Sequence, residues 1–173
     1  MVVVRAEEAG DASKIANVLS KAFARLGYDT PPEVGLVAQL RDSDAWLPNL
    51  SIVAVVAGVI VAHALLSRVW VGRSPALVLG PVAVLPAHQN QGVGTHVVNA
   101  ALVAADRAGE RLVVVLGDPA FYSRFGFVPA SRFGVLGPWK VPDDVYQALP
   151  LSKYGDGDDL VGAVEYPEPF YEV

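Results

Sequence analysis

The run QNQGVG, Gln89 to Gly94, sets two glycines between an apolar, strand-like stretch and a helix-like one. Residues of this type at this spacing suit one kind of chemistry. With no side chains in the way, consecutive backbone N–H groups can approach an anion, and the start of a helix adds about half a positive charge. A phosphate is the natural occupant. The run is not a P-loop, because Thr95 and His96 follow Gly94 where a lysine and a hydroxyl residue are required. It is a poor dinucleotide fingerprint, because the third glycine would fall at Val97 and the approach LPAHQNQ is too long for that tight turn. A turn whose glycines are purely structural is the plain alternative, and the spacing alone leaves it open. The chain has no cysteine, which excludes disulfides, thiolate metal sites and cysteine nucleophiles.

The elements that must hold this loop follow from hydrophobic periodicity. VVVRA, Val2 to Ala6, is a short strand. Ile15, Val18, Leu19, Ala22 and Phe23 recur at helical spacing after Asp11, and Val34, Val37 and Leu40 do so after a proline pair. SIVAVVAGVIVAHALL is slightly short of the roughly 20 residues of a membrane span and contains Gly58 and His63, so it reads as a β-hairpin turning at Ala57-Gly58. PALVLGPVAVL is a further strand, with a bulge or broken ladder expected at Gly80-Pro81. A helix follows Gly92 and stops at Ala108-Gly109; RLVVVLGD is a strand buried on both faces. PAFYSRFGF opens as a short helix, with Asp118 its expected N-cap. From Val128 to Asp159 the pattern is turn-rich and loop-like, and a last strand lies within Leu160 to Phe170. The order β-α-α-β-β-β-α-β-α-β predicts one mixed α/β domain over residues 1–173.

The 173 residues carry a net charge of −5 and no Lys/Arg-rich run, so nucleic acid is not an expected partner. The opening MVVVRAEEAGD is too short and too soon acidic for a signal peptide. A soluble, cytoplasmic protein that does not engage a membrane is expected.

Gln89-Asn90-Gln91-Gly92-Val93-Gly94 fills the pattern Q/R-x-x-G-x-G/A and resembles the pyrophosphate loop of the GNAT superfamily of acyl-CoA-dependent N-acetyltransferases. LGPVAVLP resembles that family's bulged central strand, and GDPAFYSRFGF its Y-x-x-x-G-F signature, with Tyr122, Gly126 and Phe127 in place. SIVAVVAGVIVAH, LLSRV and VLGDPAFYSRFGFVPA are similar to the branch of the YhbS type. The resemblance spans nearly the whole chain. It implies an α/β (α+β) GNAT fold: a mixed, mostly antiparallel sheet with splayed central strands, flanked by helices.

The same resemblance implies roles. Acetyl-CoA is the cosubstrate, with no metal. Its pantetheine arm would lie along Val82, Ala83 and Val84, and its pyrophosphate on Gln89, Asn90, Gln91, Gly92, Val93, Gly94 and Thr95. Asp118, Phe121, Tyr122 and Arg124 would complete the cofactor contacts. The Val84 N–H would meet the developing oxyanion, a donor typically worth ~3 kcal/mol of barrier. Tyr122 would protonate the leaving thiolate, as a phenol of pKa about 10 can for a thiol of about 8.5; a packed core aromatic is the plain alternative. For the general base the residues leave several readings. His63, Glu33 and Glu165 are the side-chain candidates and a water chain is the default; His88 and His96 flank the phosphate loop and are not expected as bases. Gln91 stands where the family often has a basic residue, which puts some charge assistance to the pyrophosphate in doubt.

The acceptor would be a small-molecule amine or a protein or peptide amine, attacking directly in a ternary complex. A non-catalytic acyl-CoA-binding or sensor module on the same fold is the alternative. Acidic residues at 156, 158, 159, 165 and 168 would suit a cationic amine or simply a solvated surface. The strand near Leu160 to Val164 is a candidate for pairing across a homodimer.

Overall fold

The structure, a computed structural model, describes residues 1–25, 27–155 and 159–173. The positions 156 and 158 of the acidic group noted above lie outside the described residues. In chain order the strands are β1 Val2–Ala6, β2 Ser51–Val56, β3 Val59–Val71, β4 Ser74–Val84, β5 Leu112–Leu116, β6 Val128–Pro129, β7 Val135–Leu136, β8 Tyr146–Pro150 and β9 Gly162–Glu165. The α-helices are α1 Ala12–Ala22, α2 Pro32–Arg41, α3 Val93–Arg107 and the single turn α4 Pro119–Tyr122.

The sheet runs β1-β2-β3-β4-β5-β8-β6, with β9 pairing both β3 and β7. Neighbours on the main path are antiparallel except β4 and β5, which are parallel. This is the mixed, mostly antiparallel α/β architecture expected. The helices bury the stripes their periodicity marks. Ile15, Val18 and Leu19 of α1 pack with Leu36, Val37 and Leu40 of α2 on one face of the sheet. Val97, Val98 and Ala101 of α3 close the other face.

β4 carries the expected irregularity. Its register against β3 passes from Leu66↔Leu79 to Ala64↔Val82, so Gly80 and Pro81 together face the single residue Leu65. The extra residue bends the strand. Only Leu77↔Val113 and Val78↔Val114 pair β4 with β5, and the two strands diverge beyond them.

One expectation needs correction. The stretch after Val128 is not loop throughout: β8 within it pairs with β5 along its whole length, from Leu112↔Pro150 to Leu116↔Tyr146. YQALP offers little apolar alternation and ends in proline. Its inward Gln147 is buried, and its side-chain amide donates to the carbonyl of Gly117 at 3.2 Å. A buried polar group satisfied across the fold erases the pattern by which a strand is read.

Candidate active site

The divergence of β4 from β5 makes the site. The N–H of Leu85 donates to the carbonyl of Val61 at 2.8 Å. Bonded and non-bonded pairs alternate along an antiparallel ladder, so Ala83 exchanges its hydrogen bonds with His63. Val82 and Val84 therefore turn their N–H and C=O groups away from β3, into the gap that β5 has left. The Val84 carbonyl there accepts from the side-chain amide of Gln89 at 3.1 Å.

The glycine loop closes one end of that gap. Asn90 and Gly92 adopt positive φ, +61° and +82°, and Gly92 is the N-cap of α3. Alternating left- and right-handed backbone turns successive amides to the same side, a concavity that suits an anion. No side chain caps these first amides. Arg124 stands beside them: its Nη1 donates to Thr95 Oγ1 at 3.2 Å, its Nε donates to the Phe121 carbonyl at 2.9 Å, and its guanidinium lies 4.5 Å from the centre of the Phe121 ring. A cation from the α4 segment thus reaches the end of α3.

Tyr122 closes the other end. Asp118 caps α4 as its sequence position predicts, its Oδ1 accepting from the Ala120 N–H at 2.9 Å. The turn presents Tyr122 edge-on to Phe121, with ring centres 4.9 Å apart, and to Phe127 at 5.8 Å. Burial pushes the Tyr122 phenol up to about 12, so it is protonated at neutral pH and available as a donor.

These parts line one cavity of about 490 Å³. Of the residues expected to touch the cofactor, all but Gln91 and Val93 line it. Val93 is buried in the core under α3, and the Gln91 side chain turns back to donate to the Ala87 carbonyl at 3.2 Å. A second cavity of about 690 Å³ shares Phe23, Val82 and Tyr122 with the first, and Glu33 is in its wall.

The other base candidates lie elsewhere. His63 does not meet the requirement for a base: its ring is fully enclosed and lines neither cavity. Its Nε2 is 2.8 Å from Ser51 Oγ, which donates to Glu7 at 2.7 Å; Glu7 in turn pairs with Arg41 at 3.0 Å. Burial first, and the Arg41 charge second, hold His63 down to about 3. Glu165 is exposed on β9 and also lines neither cavity.

Sequence reasoning missed Gly117. A Cβ there would approach Tyr122 Cδ2 to 3.0 Å and Cε2 more closely still. The glycine cannot move aside, because its N–H donates to the Val145 carbonyl at 2.9 Å and its carbonyl accepts from Gln147. Its absent side chain is what seats the tyrosine. The one sequence signal was a glycine ending an otherwise apolar strand.

Comparison with known proteins places residues 16–127 under the acetyltransferase (GNAT) family model. The uncharacterized N-acetyltransferase YjhQ of Escherichia coli K12 is 34% identical over 139 residues, covering 78% of this chain and 74% of its own length. The uncharacterized N-acetyltransferase YhbS of the same strain is 32% identical over 162 residues, covering 86% and 89%. The crystal structure of E. coli YhbS in complex with CoA superposes with a TM-score of 0.87 over 98% of this chain and 92% of that one, at 29% identity. A GNAT family acetyltransferase from Brucella melitensis in complex with acetyl-CoA gives 0.77 over 98% of both chains, at 31% identity.

Proposed function

The chain belongs to the GNAT family of acetyltransferases, and from that premise we propose that it moves the acetyl group of acetyl-CoA to an amine by direct attack within a ternary complex. The observation that carries the reading is the convergence, in one cavity, of the unpaired edge of β4, the uncapped amides at the start of α3 and the Tyr122 phenol. The two CoA-bound and acetyl-CoA-bound relatives support the choice of donor.

Each part has a task. The backbone groups of Val82 and the Val84 N–H face the gap, where an extended, amide-bearing arm adds as a strand. The amides from Asn90 to Thr95 receive the pyrophosphate, and Arg124 provides the positive charge that Gln91 lacks. The Val84 N–H faces the gap where the acyl oxygen gains charge. As the amine nitrogen bonds to the acyl carbon, the carbon–sulfur bond breaks and the sulfur leaves with the proton of Tyr122. A phenol near 12 is a weak acid for this task. The same dry surroundings also raise the basicity of the thiolate, so the two remain matched closely enough for transfer. The proton released by the amine passes to Glu33, directly or through water, and solvent resets both groups.

The test is calorimetric titration with acetyl-CoA, CoA and NADH, followed by release of free thiol with amines. Micromolar acetyl-CoA binding without NADH binding, and turnover reduced about tenfold or more in Tyr122→Phe at unchanged acetyl-CoA Kd, is the expected result. Unchanged turnover in Tyr122→Phe removes the tyrosine from the mechanism. Binding with no turnover across amines favours a sensor.

A further inference from the structure

The second cavity has a chemistry of its own. Its wall is more apolar than polar: Leu36, Leu79, Trp139, Tyr166 and Phe170 stand in it beside Glu33, Lys140, Tyr122 and the edge of β4. The rings are packed against one another. Trp139 and Tyr166 stand edge to face with centres 4.7 Å apart, and Tyr166 and Phe170 at 5.2 Å. The Tyr166 hydroxyl is already bonded to that of Tyr146 at 2.9 Å. What these rings still have to offer is apolar surface.

Glu33 supplies the one anionic side chain of this lining. Arg25 reaches its Oε2 with two long hydrogen bonds of 3.4 Å. Oε1 is enclosed, and although Arg25 Nη2 lies 3.3 Å away, no donor is aligned on it. The carboxylate as a whole is held only by long contacts to Arg25, which leaves it acceptor capacity for an N–H group that meets it from the cavity. Lys140, also in the wall, has no ion pair among the described residues.

Resting on the acetyl-transfer reading above, we infer that the acceptor is a monocationic primary amine carried on an aromatic ring, of the arylalkylamine class. The ring lies among Trp139, Tyr166 and Phe170, whose edges and faces favour another ring. The amino group pairs with the Glu33 carboxylate, in a cavity whose wall shares Phe23, Val82 and Tyr122 with the donor's. A polyamine or aminosugar fits poorly, because a single carboxylate cannot pair several cations and Lys140 repels the second. An aliphatic amine of the same charge leaves the ring surface uncovered.

The experiment titrates 2-phenylethylamine, propylamine, spermidine and a peptide with a free amino terminus into the protein with bound CoA, and measures acetyl transfer to each. The expected result is that 2-phenylethylamine binds and is acetylated with kcat/KM at least about tenfold above each of the others. Glu33→Gln, close in shape, raises the 2-phenylethylamine Kd about tenfold while the acetyl-CoA Kd stays the same; Lys140→Glu, at an exposed position, improves spermidine relative to the wild type. Equal or better use of spermidine, propylamine or the peptide overturns the inference. Acetyl-CoA binding with no calorimetric binding of 2-phenylethylamine overturns it too, and leaves the donor reading standing. Binding of 2-phenylethylamine without transfer to any of the four overturns the acetyl-transfer reading and, with it, the assignment of this amine as acceptor.

Discussion

At the residue scale, the site depends on a side chain that is missing. Gly117 is held by hydrogen bonds on both of its sides, so any added Cβ must push the Tyr122 ring instead of the backbone. Gly117→Ala is therefore expected to lower kcat by about tenfold, as Tyr122→Phe does, with acetyl-CoA Kd nearly unchanged. Retained turnover in steady-state kinetics would show that the phenol need not stand where it does. The contrast with Asp118, one residue on, explains what could be read beforehand. The Asp118 cap is a local bond to Ala120, so position and residue type announce it. The fit of Gly117 to Tyr122 depends on how a strand end and a helical turn fold back on each other. The weakly held carboxylate of Glu33 likewise depends on where Arg25 and the second cavity fall. His63 shows the reverse: its residue type suits a base, but β3 turns the ring into the core.

At the element scale, the bulge in β4 and the left-handed cap of α3 divide the work of shaping the first cavity. Both were legible, because Gly80-Pro81 cannot continue a regular ladder and Gly92 precedes a clear helical stripe. β8 was not, because its inward polar residue is satisfied only by a partner distant in sequence. Gly92 holds φ at +82° with nothing within 4 Å of where a Cβ would stand, so a substitution there acts on backbone conformation alone. Gly92→Ala should cost about 1 kcal/mol of stability. It should also weaken acetyl-CoA binding severalfold by turning the first amides of α3 out of line. Denaturant unfolding and calorimetry check the two parts; a change in stability with unaltered acetyl-CoA affinity would separate the cap from the phosphate site.

At the scale of the whole molecule, a chain of polar contacts from the half-buried Arg41 and Glu7 through Ser51 to the buried His63 ties α2, the segment after β1, and strands β2 and β3 together. The chain has a pH limit. His63 titrates near 6.5 when unfolded and is held to about 3 in the native state. Between those values the unfolded chain binds a proton that the native chain does not, so stability is full above about 6.5 and falls as pH drops toward 3. Between pH 7 and 4.5 the expected loss is about 2–3 kcal/mol. His63→Gln, which keeps a donor for Ser51, should flatten this slope in urea unfolding at the two pH values. Asp11, held below its ordinary value first by its hydrogen bond to Arg5, loses its contribution only as pH falls below about 3.8 and does not obscure the window. An equal slope in the variant would assign the acid sensitivity to other groups.

The gap between β4 and β5 has one further consequence, outside catalysis. A strand with one row of amides and carbonyls unpaired is an edge, and this fold puts such an edge in the middle of its sheet. Edges are templates on which a second polypeptide can add and aggregation can begin. A ligand lying in the gap would therefore act as an edge protector. Acetyl-CoA is expected to lower the protein's tendency to self-associate, which light scattering with and without the cofactor measures; equal scattering in both would show that the gap is no such template.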